Sequence, residues 1–321
     1  MLRHVRGRYS ADLMLGLCVV IWGFNFTVVK YATSHGFTPL AYAGTRFAIS
    51  GAIFAIVGLT RNLGPSLPRR DLVKLVLWSA SLTTMNQVAL PYSFQYASVS
   101  SVALLFGTLP VFAAVYSLLW RIERASTRIW LAAGLSFGGV ALIAIGTHGG
   151  PSGSVGGILL GLVAPATFAL YSIVLVPLVR KYGSLQGNVL AAVATLPLLL
   201  SVTGPSLVHT DWGAVTPLAY SGVVYSSVAS YVLTNVLWLV AVGRVGATRA
   251  SLYANLQPFF GALFAVLLLS EVMGRYELLG GVAIAGGIVL SRTGSRLRKR
   301  AAPVEPAAAP VEPAAAADEQ R

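Results

Sequence analysis

The charged residue that most needs an explanation is Arg46, in "RFAISG". No Asp, Glu or Lys lies between Lys30 and Arg61. A guanidinium stays charged at every physiological pH and offers five N–H donors. Away from water it needs acceptors or an anion. The acids Asp12, Asp71, Glu123, Asp211, Glu271 and Glu277 fall near the ends of apolar runs, none at the depth of Arg46. Two roles follow. Either Arg46, with Lys30, gives a cavity a positive field that draws a carboxylate or phosphate, or it bonds backbone carbonyls and is structural.

Amides and aromatics form the second group. Trp22 and Asn25 are three apart and share a helix face. Asn86 and Gln87, Asn235, and Asn255 and Gln257 lie in other apolar runs, as do Tyr171 and Tyr231. An unpaired amide facing hydrocarbon costs several kcal/mol, so these side chains are expected to face the interior. Trp22, Asn25, Arg46, Asn86, Tyr171, Tyr231, Asn235 and Asn255 are thus the candidate solute-binding set. Bonding between helices is the competing role. No catalytic residue, metal site or cofactor is expected.

Composition identifies the solvent around these helices. Of 321 residues, 56% are hydrophobic and only 10% charged, against about 25% charged in a soluble domain. The net charge of +13 is spread between apolar runs rather than gathered in one patch, which argues against nucleic acid as a partner. Cys18 is the single cysteine, so no intrachain disulfide forms.

A bilayer core takes roughly 20 apolar residues as helix. Ten runs suit that length, starting near Asp12, Phe37, Leu72, Ser98, Ser126, Gly156, Gly187, Val215, Ala247 and Tyr276. With the amino terminus in the cytoplasm, all of the 23 Lys and Arg residues except Lys30, Arg46 and Arg275 fall at cytoplasmic junctions or termini. That is the positive-inside pattern. At Arg46 the depth is roughly 13 Å along its helix.

The chain also repeats itself. Val99–Leu142 lies on Ala247–Leu290 at a shift of 148 residues without a gap. Pro110, Glu123, Gly138 and Gly139 meet Pro258, Glu271, Gly286 and Gly287. Chance rarely aligns breakers and charges together. Five spans per half is an odd number, so the second half is expected upside down relative to the first, as in many carriers. Pro110 and Pro258, read as lying inside their helices, would free the carbonyls of Phe106 and Ala254 and act as matched kinks. Glu123 and Glu271, at the ends of the repeated element, are expected to tie span ends to neighbouring backbone or basic groups. Gly134–Gly138 and Gly157–Gly161 are small-xxx-small patterns for close helix contact.

These residues resemble the EamA-type transporters of the drug/metabolite transporter superfamily. "WGFNF" at Trp22–Phe26 is similar to the opening signature, "RFAISG" to the arginine of span two, and "QPFFGALFAVLLLSE" to the Pro…Glu element of span nine. In the looser copy, "LPVFAAVYSLLWRIE", Trp-Arg-Ile stands where Gly often precedes Glu. The resemblance covers about residues 11–292. It implies an all-α integral membrane fold of ten transmembrane helices in two inverted five-helix repeats, carrying amino acids, other metabolites or drugs.

The expected organisation is a cytoplasmic segment 1–10, repeats at 11–146 and 147–292, and a disordered tail 293–321, first basic and then Pro/Ala-rich. No GxxxxGK[ST] occurs, so ATP-driven pumping is not expected. The scarcity of acids at mid-depth favours exchange or downhill carriage over proton coupling. The expected protein is a non-enzymatic carrier working as an exporter, in the cell (inner) membrane with both termini cytoplasmic. Its partners are lipid and a small solute, and its oligomeric state is open. The alternatives are a membrane enzyme on lipid-linked substrates and a drug or quaternary-amine efflux carrier.

Overall fold

The computed structural model describes residues 2–63, 67–120, 127–146, 154–174, 181–245, 250 and 253–301. Among them there are ten helices and no β-strand. The helices are α1 (Leu2–Ser34), α2 (Pro39–Thr60), α3 (Arg69–Tyr96), α4 (Val99–Leu119), α5 (Thr127–Gly146), α6 (Val155–Val174), α7 (Ser184–His209), α8 (Pro217–Ser227 continuing to Val245), α9 (Gln257–Leu269) and α10 (Arg275–Ala301). Local signals start several of them. Thr38 and Thr216 cap α2 and α8 through Ala41 N and Ala219 N, each followed by proline, where its missing N–H costs nothing. Gly36, with φ 106°, approaches Val215 too closely for any Cβ.

Six helices are long and apolar enough to cross a membrane: α1, α2, α4, α6, α7 and α8. The other four depart from the expected run for visible reasons. α3 carries Arg69, Arg70, Asp71 and Lys74. The apolar part of α5 is only Trp130–Gly146, and α9 has 13 residues. α10 opens on Arg275 and Glu277 and ends in the basic run. The ends also shift. α1 starts at Leu2, and α10 carries the basic run of the expected tail into helix. Glu123 and the Pro/Ala-rich segment lie outside the described residues.

Side chains such as Leu17, Leu77, Phe137, Leu159, Val224 and Leu267 are exposed on the outside of the bundle. That is the inverse of a water-soluble surface. A shared core takes Phe26, Phe94, Val102, Ile143, Ile158, Val223, Ala265 and Ile284 from eight helices of both halves.

The main packings respect an exchange of each helix with the one five places later. α2 packs on α7, α4 on α9 and α5 on α10; α3 on α6 is matched by α8 on α1, and α3 on α7 by α8 on α2. α2 and α7 run antiparallel, as do α5 and α10. Gly44, Gly51 and Gly58 on α2 meet Thr203, Leu196 and Val189 on α7. On α5 and α10 the contact is reciprocal: a Cβ on Gly139 meets Gly280 O, and one on Gly287 meets Ala132 O. Gly287 and Gly280 are the 148-shift equivalents of Gly139 and Ala132, so the crossing has the self-complementary form of a two-fold interface.

Two expectations need correction. Gly134 and Gly138 have no neighbour within 4 Å of an added Cβ, so this small-xxx-small pair makes no close crossing; Gly139, one residue on, does. Gly157 and Gly161 do pack closely, on Tyr96–Ala97 and on Leu105. Nor does either proline sit in an unbroken helix. α4 tightens into a 3-10 turn at Phe106–Thr108, and Pro110 is the second residue of the segment after it. Pro258 holds the equivalent place in α9, behind a turn at Asn255 and Leu256. Because proline crowds the carbonyl four residues back, the break falls one turn before it.

At the start of α3, Asp71 Oδ2 accepts from Tyr182 Oη at 2.6 Å and from Lys181 Nζ at 3.0 Å. The Tyr182 hydrogen bond, then Lys181, hold this carboxyl below the usual carboxylate range. A depressed pKa stabilises the fold at neutral pH, and that contribution is lost as pH falls through the folded-state value. Melting curves of wild type and Asp71→Asn are therefore expected to differ at pH 7 and to converge in acid below the ordinary carboxylate range. A constant gap over that range would contradict this.

Candidate functional site

Arg46 lies on α2 with only 7% of its surface exposed. Its Nη1 donates to Gln87 Oε1 on α3 at 2.6 Å, and its Nε donates to Ser226 O on α8 at 3.3 Å. The guanidinium carbon stands 5.6 Å from the ring centre of Tyr231. Among the described residues no carboxylate forms an ion pair with it. The charge is held by neutral acceptors and an aromatic face.

A polar belt extends from Arg46 in both directions. Ser226 Oγ donates to Asn25 Oδ1 on α1, which leaves Tyr42 Oη as donor to Ser226 Oγ. Gln87 Nε2 donates to Asn86 Oδ1 at 3.2 Å; Asn86 Nδ2 donates to Ala164 O at 2.9 Å and Thr167 Oγ1 at 3.2 Å on α6. The belt thus crosses α1, α8, α2, α3 and α6, joining both halves. Ser50 and Ser227 close the α2–α8 side, both donating to Arg46 O.

α8 is locally unwound beside this belt. Val228–Leu233 form a π-helical turn, a feature frequent at functional sites. Trp22 Nε1 donates to Thr234 Oγ1 at 2.9 Å and Ser230 O at 3.1 Å, and its ring packs 5.1 Å from Trp238. Tyr231 stands edge-on to Phe47 and Phe54. Asn235 Nδ2 donates to Tyr231 O at 2.6 Å within the same helix.

Trp22, Asn25, Arg46, Asn86, Tyr231 and Asn235 are therefore placed on or next to one belt. Tyr171 packs toward the start of α3, in a cluster with Leu72 and Tyr182, stacks on Phe168, and lies within electrostatic reach of Tyr231. Asn255 sits in the turn before α9. Tyr42, Ser50 and Thr167 were missed. Tyr42 and Ser50 were findable, lying four residues either side of Arg46 on its helix face. Replacing Tyr42 by Phe removes the donor to Ser226; a loss of about 0.5–1.5 kcal/mol is expected, read as a lower melting temperature. An unchanged melt would remove this bond from the network.

Glu271, two residues beyond α9, reaches across to the start of α4. It accepts from Val99 N at 2.8 Å and Ser100 N at 2.9 Å, closing the start of α4.

Comparison with known proteins places this architecture. The EamA-like transporter family model matches residues 9–145 and again 155–293. The chain belongs to the EamA-like transporter family, carries two copies of its repeat, and is a multi-pass membrane protein. It is 27% identical over 287 residues to the uncharacterized transporter YdfC of Bacillus subtilis, covering 87% of this chain and 88% of that one. A probable terminal-alkyne amino-acid exporter of Streptantibioticus cattleyicolor is 26% identical over 294 residues, covering 90% and 96%. A probable amino-acid metabolite efflux pump of Salmonella typhimurium is 25% identical over 299 residues, covering 89% and 95%. A solved crystal structure matches with a TM-score of 0.59 at 16% identity, covering 91% of this chain and 99% of that one, a likeness of fold alone.

Proposed function

We propose that this chain is a secondary transporter that exports a small organic metabolite with a carboxylate, of amino-acid type, by alternating access between its halves. The observation that carries this is Arg46: a buried guanidinium with no carboxylate partner among the described residues, on a belt joining both repeats. A charge near the bilayer centre costs at least about 2.5–3.5 kcal/mol, and a solute anion supplies the missing counter-charge. Relatives named for amino-acid export support the solute class.

In this mechanism ten helices cross the membrane, the repeats at 11–146 and 147–292 inverted and both termini cytoplasmic. Bacterial relatives favour the inner membrane. Trp22, Asn25, Asn86, Tyr231 and Asn235 shape the site around Arg46, and Tyr171 and Asn255 line its approaches. The breaks before Pro110 and Pro258 let α4 and α9 swing. A cationic drug meets the wrong sign of charge at Arg46, which disfavours that class.

A thermal-shift screen of purified protein against amino acids, sugars, nucleosides and cationic drugs tests the proposal. Stabilisation by carboxylate-bearing solutes is expected. A response confined to cationic drugs would overturn the solute class.

A further inference from the structure

We propose that the cavity where α1 ends and α4 begins is a second binding site, for a small zwitterion such as a free α-amino acid. On the orientation proposed above it opens at the outer face. It measures about 430 Å³, and its lining includes polar Lys30, Ser98, Glu271 and Glu277 and apolar Leu269 and Val272. It deepens the export proposal, since the same solute passes through it on leaving, but it does not depend on Arg46.

The fold holds each charged group in place and leaves each with unused capacity. Lys30 Nζ donates to Phe94 O, which occupies one of its three N–H donors. Glu271 takes Val99 N, Ser100 N and Ser100 Oγ. Glu277, only 1% exposed, takes Ser98 Oγ at 3.0 Å, Ser101 Oγ, and Gly274 N at 2.8 Å. A carboxylate has about four lone-pair sites, so each keeps one acceptor direction. Ser270, with φ 53°, sits in the left-handed region that bulky residues avoid. This backbone turns the chain so that Glu271 reaches α4 and the cavity wall.

The mixture of signs selects the ligand. A simple cation meets the Lys30 ammonium, and a simple anion meets two carboxylates. A dipolar molecule complements both, with its carboxylate at Lys30 and its ammonium at the partly exposed Glu271, behind which the buried Glu277 adds negative charge. The volume exceeds what an ion needs, and the Leu269–Val272 wall accepts an apolar side chain.

The test uses the full chain in nanodiscs carrying Arg46→Gln, titrated calorimetrically with L-phenylalanine, phenylalaninamide and 3-phenylpropionate. L-phenylalanine is expected to bind at least tenfold tighter than either analogue. Lys30→Gln should reduce it to the level of the amide, Lys30→Arg should restore it, and Glu277→Gln should weaken both amine-bearing probes at least tenfold. Should Glu277→Gln fail to fold, the two Lys30 variants carry the test. L-phenylalanine binding that is absent with Arg46→Gln, or unmoved by Lys30→Gln, overturns the proposal. Binding to wild type alone leaves the Arg46 site standing and removes this one. Identical binding with and without Arg46 does the reverse.

Discussion

Arg46→Gln is expected to weaken the affinity of the belt site for a carboxylate-bearing solute about 30-fold or more, and to remove that site's share of the stabilisation the solute gives the wild-type protein. The figure follows from the 2–5 kcal/mol lost when one partner of a buried, hydrogen-bonded charge pair is removed. The unliganded protein should respond differently. Removing the guanidinium relieves a buried charge costing about 2.5–3.5 kcal/mol. It also leaves Gln87 Oε1 and Ser226 O without their donor, at about 1–3 kcal/mol per buried group. These terms nearly cancel, so the solute-free melting temperature should move little. A purely structural arginine gives the opposite pattern: a large fall in the solute-free melt and unchanged solute affinity. Thermal melts with and without solute separate the two.

The second large effect is expected at the α5–α10 crossing. Gly139→Ala puts a Cβ 2.5 Å from Gly280 O, and Gly280→Ala puts one 2.5 Å from Gly139 O. Backbone cannot move aside as a side chain can, so each substitution forces the helices apart. Overpacking of this kind costs about 1–3 kcal/mol. The two losses should be similar, because the contact is reciprocal. The double variant should lose less than the sum, because the first substitution has already opened the gap. Gly134→Ala is the control: it has open space around it and gains helix propensity, so its melt should hold or rise. Equal effects at Gly134 and Gly139 would show that the crossing is not where the packing is tight.

Much of this organisation was written in the sequence, because lipid leaves few choices for the backbone. The apolar runs at α1, α2, α4, α6, α7 and α8 correspond to helices apolar enough to span. The 148-residue shift located Gly139 and Gly287, both at the crossing. The shift could not say which glycine of each Gly-Gly pair faces the partner, since that depends on the rotation of α5 about its axis. The neighbourhood of Arg46 was partly legible: Asn25, Asn86, Gln87 and Ser226 are polar residues that hydrocarbon forces inward. Their pairing was not, because it joins positions up to 201 residues apart, as in Asn25 with Ser226. The π turn at Val228–Leu233 was invisible, because no proline or glycine marks that stretch. By sequence Glu277 lies near a span end. Its burial depends on Ser98 and Ser101, which nothing in its own neighbourhood reveals.

The central claim is that the two halves enter the membrane in opposite senses around a shared site. Arg61 and His209, exposed at the ends of α2 and α7, are equivalent under the 148-residue shift. Arg61→Cys and His209→Cys, each made in a Cys18→Ser background, can be labelled in intact cells with a membrane-impermeant maleimide. Two inverted halves require His209→Cys to react from outside and Arg61→Cys to react only after the cells are opened. Labelling of both positions from the same side would contradict the account.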